Sequence, residues 1–231
     1  SRRLLPLLCL LGVLVPCSSA TWSIVVVNRR TGEVCIASAT CIPRQDLTEW
    51  TPVILVGVGG GVTQSVLDNG QNKVRIWEGF LAGDSPQAIL ARIRDEDGGV
   101  ATRQFGIVDF AHEPLSFTGR QAGQARKSVA GVVDDLAYAI QGNILSDQLV
   151  VDEAERVLRE STGDTAQRVM AAMVRARELG GDGRCSCGLG SLGDCGVPTD
   201  FEKSAHIGYL LVARMGDTDG NYVIGESCVT G

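Results

Sequence analysis

The chain has two histidines, His112 and His206, no run of basic residues, and no apolar stretch much beyond a dozen residues. Two histidines leave little for a histidine-based metal site, and no cofactor or metal is expected. The missing basic patch removes the electrostatic footprint of a nucleic-acid binder. A net charge of -6 and a pI near 5.0 argue the same way. Familiar hydrolase templates are absent too: there is no nucleophile elbow, no Ser-His-Asp set and no two-histidine motif. The glycines of VILVGVGGGV (53–62) do not match G-x-G-x-x-G, and no G-K-[ST] follows. Close backbone packing or a bulge is their expected role, not a phosphate cradle. No internal repeat, long linker or second domain is visible.

The strongest positive signal lies at the start. Arg2 and Arg3 precede an apolar run from Leu4 to Val15, and Ser18-Ser19-Ala20 offers the small residues a signal peptidase needs. The run is too short for the ~20 residues that span hydrocarbon. Lipidation at Cys17 is the rival processing, but Pro16 directly before it fits that poorly. Soluble export, to the periplasm or medium, is the leading expectation, with a signal peptide at 1–20 and a mature chain from Thr21. The remaining ~210 residues suit one domain. The whole chain is 44% hydrophobic and 21% charged, and a domain of that length can bury a sizeable core.

Export changes how the cysteines read. Cys35, Cys41, Cys185, Cys187, Cys195 and Cys228 stay in the mature chain, and disulfides are favoured in an oxidising compartment. Their connectivity is open. The rival is a structural zinc at Cys185, Cys187 and Cys195, whose one-residue spacing suits the metal badly.

Along the mature chain, SIVVVN (23–28) and EVCIASAT (33–40) predict two strands joined by a turn at Arg30-Thr31-Gly32. Residues 53–62 read as one strand buried on both faces. Ser85-Pro86 predicts a capped helix carrying Ile89, Leu90 and Ile93. QFGIVDF (104–110) predicts a strand that Leu115–Thr118 pairs with, and YAIQGNIL (138–145) a strand turning at Gly142-Asn143. Ser146 or Asp147 caps a helix bearing Val150, Ala154, Val157 and Leu158. Asp164 and Gln167 form a capping box before a stripe of Ala166, Val169, Met170, Met173 and Val174, read as core, and Gly180-Gly181 ends that helix. IGYLLVAR (207–214) is a strand, followed by a turn at Asp219-Gly220 and a short strand at Tyr222–Gly225. Strands at both ends and in the middle, with helices between, suit an α+β sandwich in one domain.

Cleavage after Ala20 would give Thr21 a free α-amine beside its own hydroxyl. That amine, with an unperturbed pKa of about 7.7–8.0, is a base carried by the nucleophile itself.

The run Thr21-Trp22-Ser23-Ile24-Val25-Val26 resembles the start of the bacterial family called domain of unknown function 1028. The likeness continues through Gly32-Glu33, Ala37-Ser38, Val62-Thr63-Gln64, Arg103–Asp109 (RQFGIVD), Thr118-Gly119, Gln141–Leu145 (QGNIL), Gly180-Gly181-Asp182-x-Arg184 and Ser204-Ala205. The resemblance implies the four-layer αββα sandwich of N-terminal nucleophile hydrolases, similar to proteasome subunits. It also implies amide-bond hydrolysis by Thr21. Asn143 and Gln64 would donate to an oxyanion or orient substrate. Asp182 and Arg184 would hold the amine and tune its pKa; Ser38 is a weaker candidate. Each has a structural alternative: a turn for Asn143, backbone pairing for Gln64, loop ordering for Asp182 and Arg184. The partner implied is a small-molecule or peptide amide, with no membrane contact after signal cleavage; assembly into homo-oligomers stays open. Two segments depart from the family pattern: a Cys-rich insert at about 185–203, and residues 120–136. A non-catalytic exported binding or assembly module on the same fold is the competing function.

Overall fold

The computed structural model describes residues 21–218 apart from Gln45, Asn69 and Leu189. The segment read as a signal peptide, Cys228, and the turn and strand expected after Asp219 therefore lie outside the described residues. The described chain is α+β in a single domain, with nine strands in two antiparallel sheets and six helices.

The first sheet is built on the hairpin of β1 (Thr21–Asn28) and β2 (Glu33–Thr40), in register at Ser23 and Ser38. β8 (Leu136–Asn143) flanks β1, and β7 (Lys127–Val133) lies outside β8. β9 (Ile207–Ala213) pairs with β2 on the other side. The second sheet runs in the order β3 (Pro52–Leu55), β4 (Gly59–Ser65), β5 (Arg103–Asp109), β6 (Leu115–Thr118).

Strand alternation sorts the core into three clusters. Trp22, Ile24 and Val26 pack with Ala154 and Leu158 of α4 (Leu149–Glu160) and with Val169, Ala172 and Ala176 of α5 (Thr165–Glu178). On the opposite face of β1, Val25 and Val27 join Val34, Ile36, Ala137 and Ala139 against Val62 and Val108 of the second sheet. Phe105 and Ile107 turn outward to Ile76 and Phe80 of α2 (Gln71–Ala82) and Ile89 and Ile93 of α3 (Pro86–Glu96). Two helical turns, α1 (Leu47–Trp50) and α6 (Gly183–Ser186), punctuate loops. No helix among the described residues is long and apolar enough to cross a membrane.

Several expectations hold. Ser85 caps α3 by accepting from Ala88 N, the Asp164–Gln167 capping box forms, and β6 pairs with β5. The cap expected of Ser146 or Asp147 does not form: the N-cap of α4 is Gln148, with no side-chain cap bond, while Asp147 accepts from Leu149 N just outside it and Ser146 Oγ donates to Leu179 O.

Other expectations fail for physical reasons. Residues 53–62 are not one strand: Gly57 adopts φ 76°, the left-handed region open to glycine, and folds them into the hairpin of β3 and β4. The other glycines pack closely as expected; a Cβ at Gly60 would lie 2.6 Å from Val34 Cγ1. Gly142 and Asn143 continue β8, and the turn falls on Ile144, with φ 51°. α2 and β7 went unread. Asn72 and Lys73 interrupt the buried face of α2, and β7 is largely half-exposed, so neither carries a clean periodicity. The α5 stripe is also rotated: Val169, Ala172 and Ala176 face the core, while Met170 and Val174 stand 48% and 41% exposed. Among the described residues Cys41 bridges Cys185 and Cys187 bridges Cys195, an arrangement that leaves no thiolates for the zinc alternative, and Cys35 is a buried free thiol.

Candidate functional site

The layer between the two sheets, formed by their facing sides, changes character along the strands. Beyond Val25, Ala139, Val62 and Val108 it becomes polar, with Thr21, Ser23, Gln64, Gln104, Gln141 and Asn143 all buried. Strand period two puts these side chains in one layer, because each lies two or four residues from an apolar residue on the same face.

Thr21 opens β1 opposite Asn143, the last residue of β8. Its backbone nitrogen donates to Asn143 Oδ1 at 3.1 Å, and its carbonyl accepts from Gln64 Nε2 at 3.0 Å. Among the described residues no hydrogen bond engages Thr21 Oγ1. Asn143 Nδ2 donates to Ser65 Oγ at 3.3 Å. Ser65 is fully buried and carries φ 79°, an unusual backbone conformation for a residue with a side chain.

Gln64 sits at the centre of a chain of amides. Besides Thr21 O, its Nε2 donates to Gln104 Oε1 at 2.9 Å, and its Oε1 accepts from Ser23 Oγ. Gln104 Nε2 donates onward to Thr118 Oγ1 and to Gly142 O, each at 2.8 Å. Gln141 Nε2 donates to Ser23 O at 3.3 Å, and its Oε1 accepts from Ser116 Oγ at 3.0 Å. The network links both sheets. A buried polar group stripped of its partner costs about 1–3 kcal/mol, so the connected amides fix the start of β1 against the end of β8.

Asp182 and Arg184 form a second cluster. The Asp182 carboxylate is fully buried; it accepts from Cys41 N at 2.6 Å and is bound by Arg184 through Nε at 3.1 Å and Nη2 at 2.8 Å. Arg184 Nη2 also donates to Thr40 Oγ1 at 3.3 Å. Thr40 follows Ala39, the register partner of Trp22, so this cluster reaches the end of the sheet where Thr21 begins. The Cys41–Cys185 bridge fastens the same point. Cys41, Cys185 and His206 have donor atoms within 4.8 Å of one another, but the two sulfurs are spent on each other.

Of the expected site residues, Thr21, Gln64 and Asn143 are brought together by direct hydrogen bonds. Asp182 and Arg184 are bound to each other and reach the threonine's neighbourhood through Thr40 and Cys41. Ser38 Oγ donates to Trp22 O at 3.3 Å. Sequence reasoning missed Ser65, Gln104, Gln141 and Ser23. The usable signal was parity: Gln104 and Gln141 fall on the same strand faces as Val108 and Ala139.

A crystal structure of a protein from Silicibacter pomeroyi, itself described as a DUF1028 protein, matches with a TM-score of 0.61 at 22% identity over 68% of this chain and 70% of that one. This likeness speaks to the fold. No curated protein matches the chain. The sequence profile described as "Family of unknown function (DUF1028)" matches residues 21–191, beginning at Thr21 and ending inside the Cys-rich insert. The chain therefore belongs to the DUF1028 family.

Proposed function

We propose that this chain is an exported amide-bond hydrolase that uses Thr21 as an amino-terminal nucleophile, on a four-layer αββα sandwich of the N-terminal nucleophile hydrolase kind. The three apolar clusters support the layering: helices on one sheet, sheet on sheet, and helices on the other sheet. The observation that carries the activity is the seat of the Thr21 nitrogen on Asn143 Oδ1, 3.1 Å away, with the Thr21 carbonyl held by Gln64.

Cleavage after Ala20 converts that nitrogen from an amide to an amine without moving its acceptor. The amine keeps one N–H on Asn143, which leaves its lone pair for the adjacent Oγ1. Oγ1 attacks the substrate carbonyl carbon, and its proton passes to the amine as the C–O bond forms. Breaking the C–N bond returns that proton to the leaving amine and leaves an ester on Thr21. Water then attacks the ester carbonyl carbon as the same amine takes its proton; the bond from that carbon to Oγ1 breaks, the acid leaves, and the proton passes from the amine to Oγ1. Gln64 is a positioning residue here: its amide hydrogens are already committed to Thr21 O and Gln104 Oε1. Asp182 and Arg184 brace the wall through Thr40 and Cys41. The substrate class is a peptide, an acylated amino compound or a cell-wall fragment.

The test has two parts. Intact mass and N-terminal sequencing of the secreted protein should give Thr21 as the first residue. A β-lactone probe should then label the wild type and Thr21→Ser, but not Thr21→Ala. A free Thr21 terminus with no Thr21-dependent adduct would overturn the proposal.

A further inference from the structure

Four buried groups stand in a row at the end of the polar layer. Thr21 N donates to Asn143 Oδ1 at 3.1 Å, Asn143 Nδ2 donates to Ser65 Oγ at 3.3 Å, and Ser65 Oγ donates to Ala122 O at 3.4 Å. The row has a direction, and Ala122 sets it. A backbone carbonyl can only accept, so the Ser65 hydroxyl spends its one hydrogen there and turns a lone pair to Asn143. That lone pair is met by the NH2 side of the Asn143 amide, which leaves Oδ1 for the Thr21 nitrogen.

Before cleavage the Thr21 end enforces the same orientation, because an amide N–H can only donate. Cleavage after Ala20 removes that constraint. An amine has a lone pair as well as hydrogens, and an Asn143 amide turned end for end would donate to it from Nδ2. The lone pair would then be occupied and unable to take the Thr21 hydroxyl proton. Ser65 opposes the turned amide, which would set Oδ1 against the hydroxyl's lone pair unless Ser65 gave up its bond to Ala122 O. The backbone marks Ser65 independently. It closes β4 with φ 79°, where glycine is at ease and a residue with a Cβ is strained by about 1 kcal/mol or more. A side chain retained in that conformation, fully buried, points to a use for its hydroxyl.

We propose that Ser65 is a positioning residue that keeps the Asn143 carbonyl, and not its amide nitrogen, on the Thr21 amine, and so keeps the amine's lone pair open as a base. The inference deepens the hydrolase proposal and rests on its reading of Thr21 as a free amino terminus. Strands β4, β5 and β8 bring only uncharged groups into this layer: Ser65, Gln64, Gln104, Gln141 and Asn143. The charges around it are engaged elsewhere. Arg103, the register partner of Ser65, is paired with Asp97, and Arg184, beyond Thr40, with Asp182. Lys127 is paired with Asp152, and Arg126 donates to Gly123 O. None of these changes when Ser65 is replaced, so a shift in the amine reports on Asn143.

Ser65→Ala removes the hydroxyl and keeps the Cβ. Ser65→Gly removes both and relieves the backbone, so it should melt no lower than Ser65→Ala. On the secreted protein, the rate of β-lactone acylation at Thr21 is measured against pH. In both variants the high-pH plateau should fall roughly tenfold, the equivalent of one net hydrogen bond. The acid limb should move about one pH unit lower, so that rates on the acid side coincide with the wild type. They coincide because the turned amide stabilises only the neutral amine and leaves the balance between protonated and productive forms unchanged. A merely structural loss would lower the rate at every pH alike. NMR titration of the isotope-labelled Thr21 amine should show the same shift with no turnover involved. An amine midpoint equal to the wild type's, or an acid limb that stays in place, overturns the proposal. A wild type that is not labelled while the amine shift is present overturns the hydrolase proposal and leaves this one standing.

Discussion

Replacing Cys41 and Cys185 by alanine opens a bridge that spans 144 residues, whereas replacing Cys187 and Cys195 opens one that spans 8. In the chain-entropy picture a cross-link stabilises by restricting the unfolded ensemble, and the effect grows with the logarithm of loop length. The relation gives about 5 kcal/mol for the long loop and about 2.5 kcal/mol for the short one. Burial acts in the same direction, because Cys41 and Cys185 are half-buried while the Cys187–Cys195 loop is mostly exposed. For a domain of this size a loss of 1 kcal/mol lowers the melting temperature by about 2–4 °C. The long-loop variant should therefore melt about 10–20 °C below the wild type, and the short-loop variant about 5–10 °C below. The assay is thermal and urea unfolding of both double variants without reductant. Wild type in strong reductant should fall to or below the long-loop variant. Equal losses from the two pairs, or a greater loss from Cys187 and Cys195, would refute the reasoning.

Three further outcomes follow from named contacts. Arg184→Met strips the buried Asp182 carboxylate of its counter-ion and should cost about 3 kcal/mol in urea unfolding, with part recovered in the Arg184→Met, Asp182→Asn double variant. Gly60→Ala drives a Cβ to within 2.6 Å of Val34 Cγ1 and should cost about 1–3 kcal/mol, while Gly98→Ala, whose Cβ meets nothing within 4 Å, should stay within about 0.5 kcal/mol of wild type. Burial, reinforced by the nearby Glu33 carboxylate, pushes the Cys35 thiol from 9.0 up to about 12. The unfolded thiol thus ionises first, so its contribution is complete below pH 9.0 and fades as pH rises toward 12. Just above pH 9.0 the wild type should lose stability faster than Cys35→Ala, approaching about 1.4 kcal/mol per pH unit, and parallel slopes would refute the assignment.

Several elements were legible because their signals are local. The β1–β2 hairpin, the Ser85 cap and the Asp164–Gln167 capping box depend on residues within a few positions of one another, and each formed as read. Thr21, Gln64 and Asn143 were also singled out from the sequence, through the resemblance to the family. Neither periodicity nor spacing could say that one amide would hold the Thr21 nitrogen and another its carbonyl.

Those contacts belong to the tertiary structure. Residues 21, 64 and 143 meet only because β1 pairs with β8 in one sheet while β4 crosses it in the other. The cysteine pairing had the same origin: a bridge over 144 residues is set by where β2 ends against the Asp182 loop, not by spacing. The α5 stripe shows the limit most clearly. Helical period fixes which residues share a face, but the packing partner fixes which face is inside. Val169, Ala172 and Ala176 met the sheet, and Met170 and Val174 were left facing out beside Trp22. By itself, then, the sequence determined the local elements and the polar residues available to them. The tertiary structure decided which side chains became neighbours, because chain-distant contacts are set by how the sheets and helices pack.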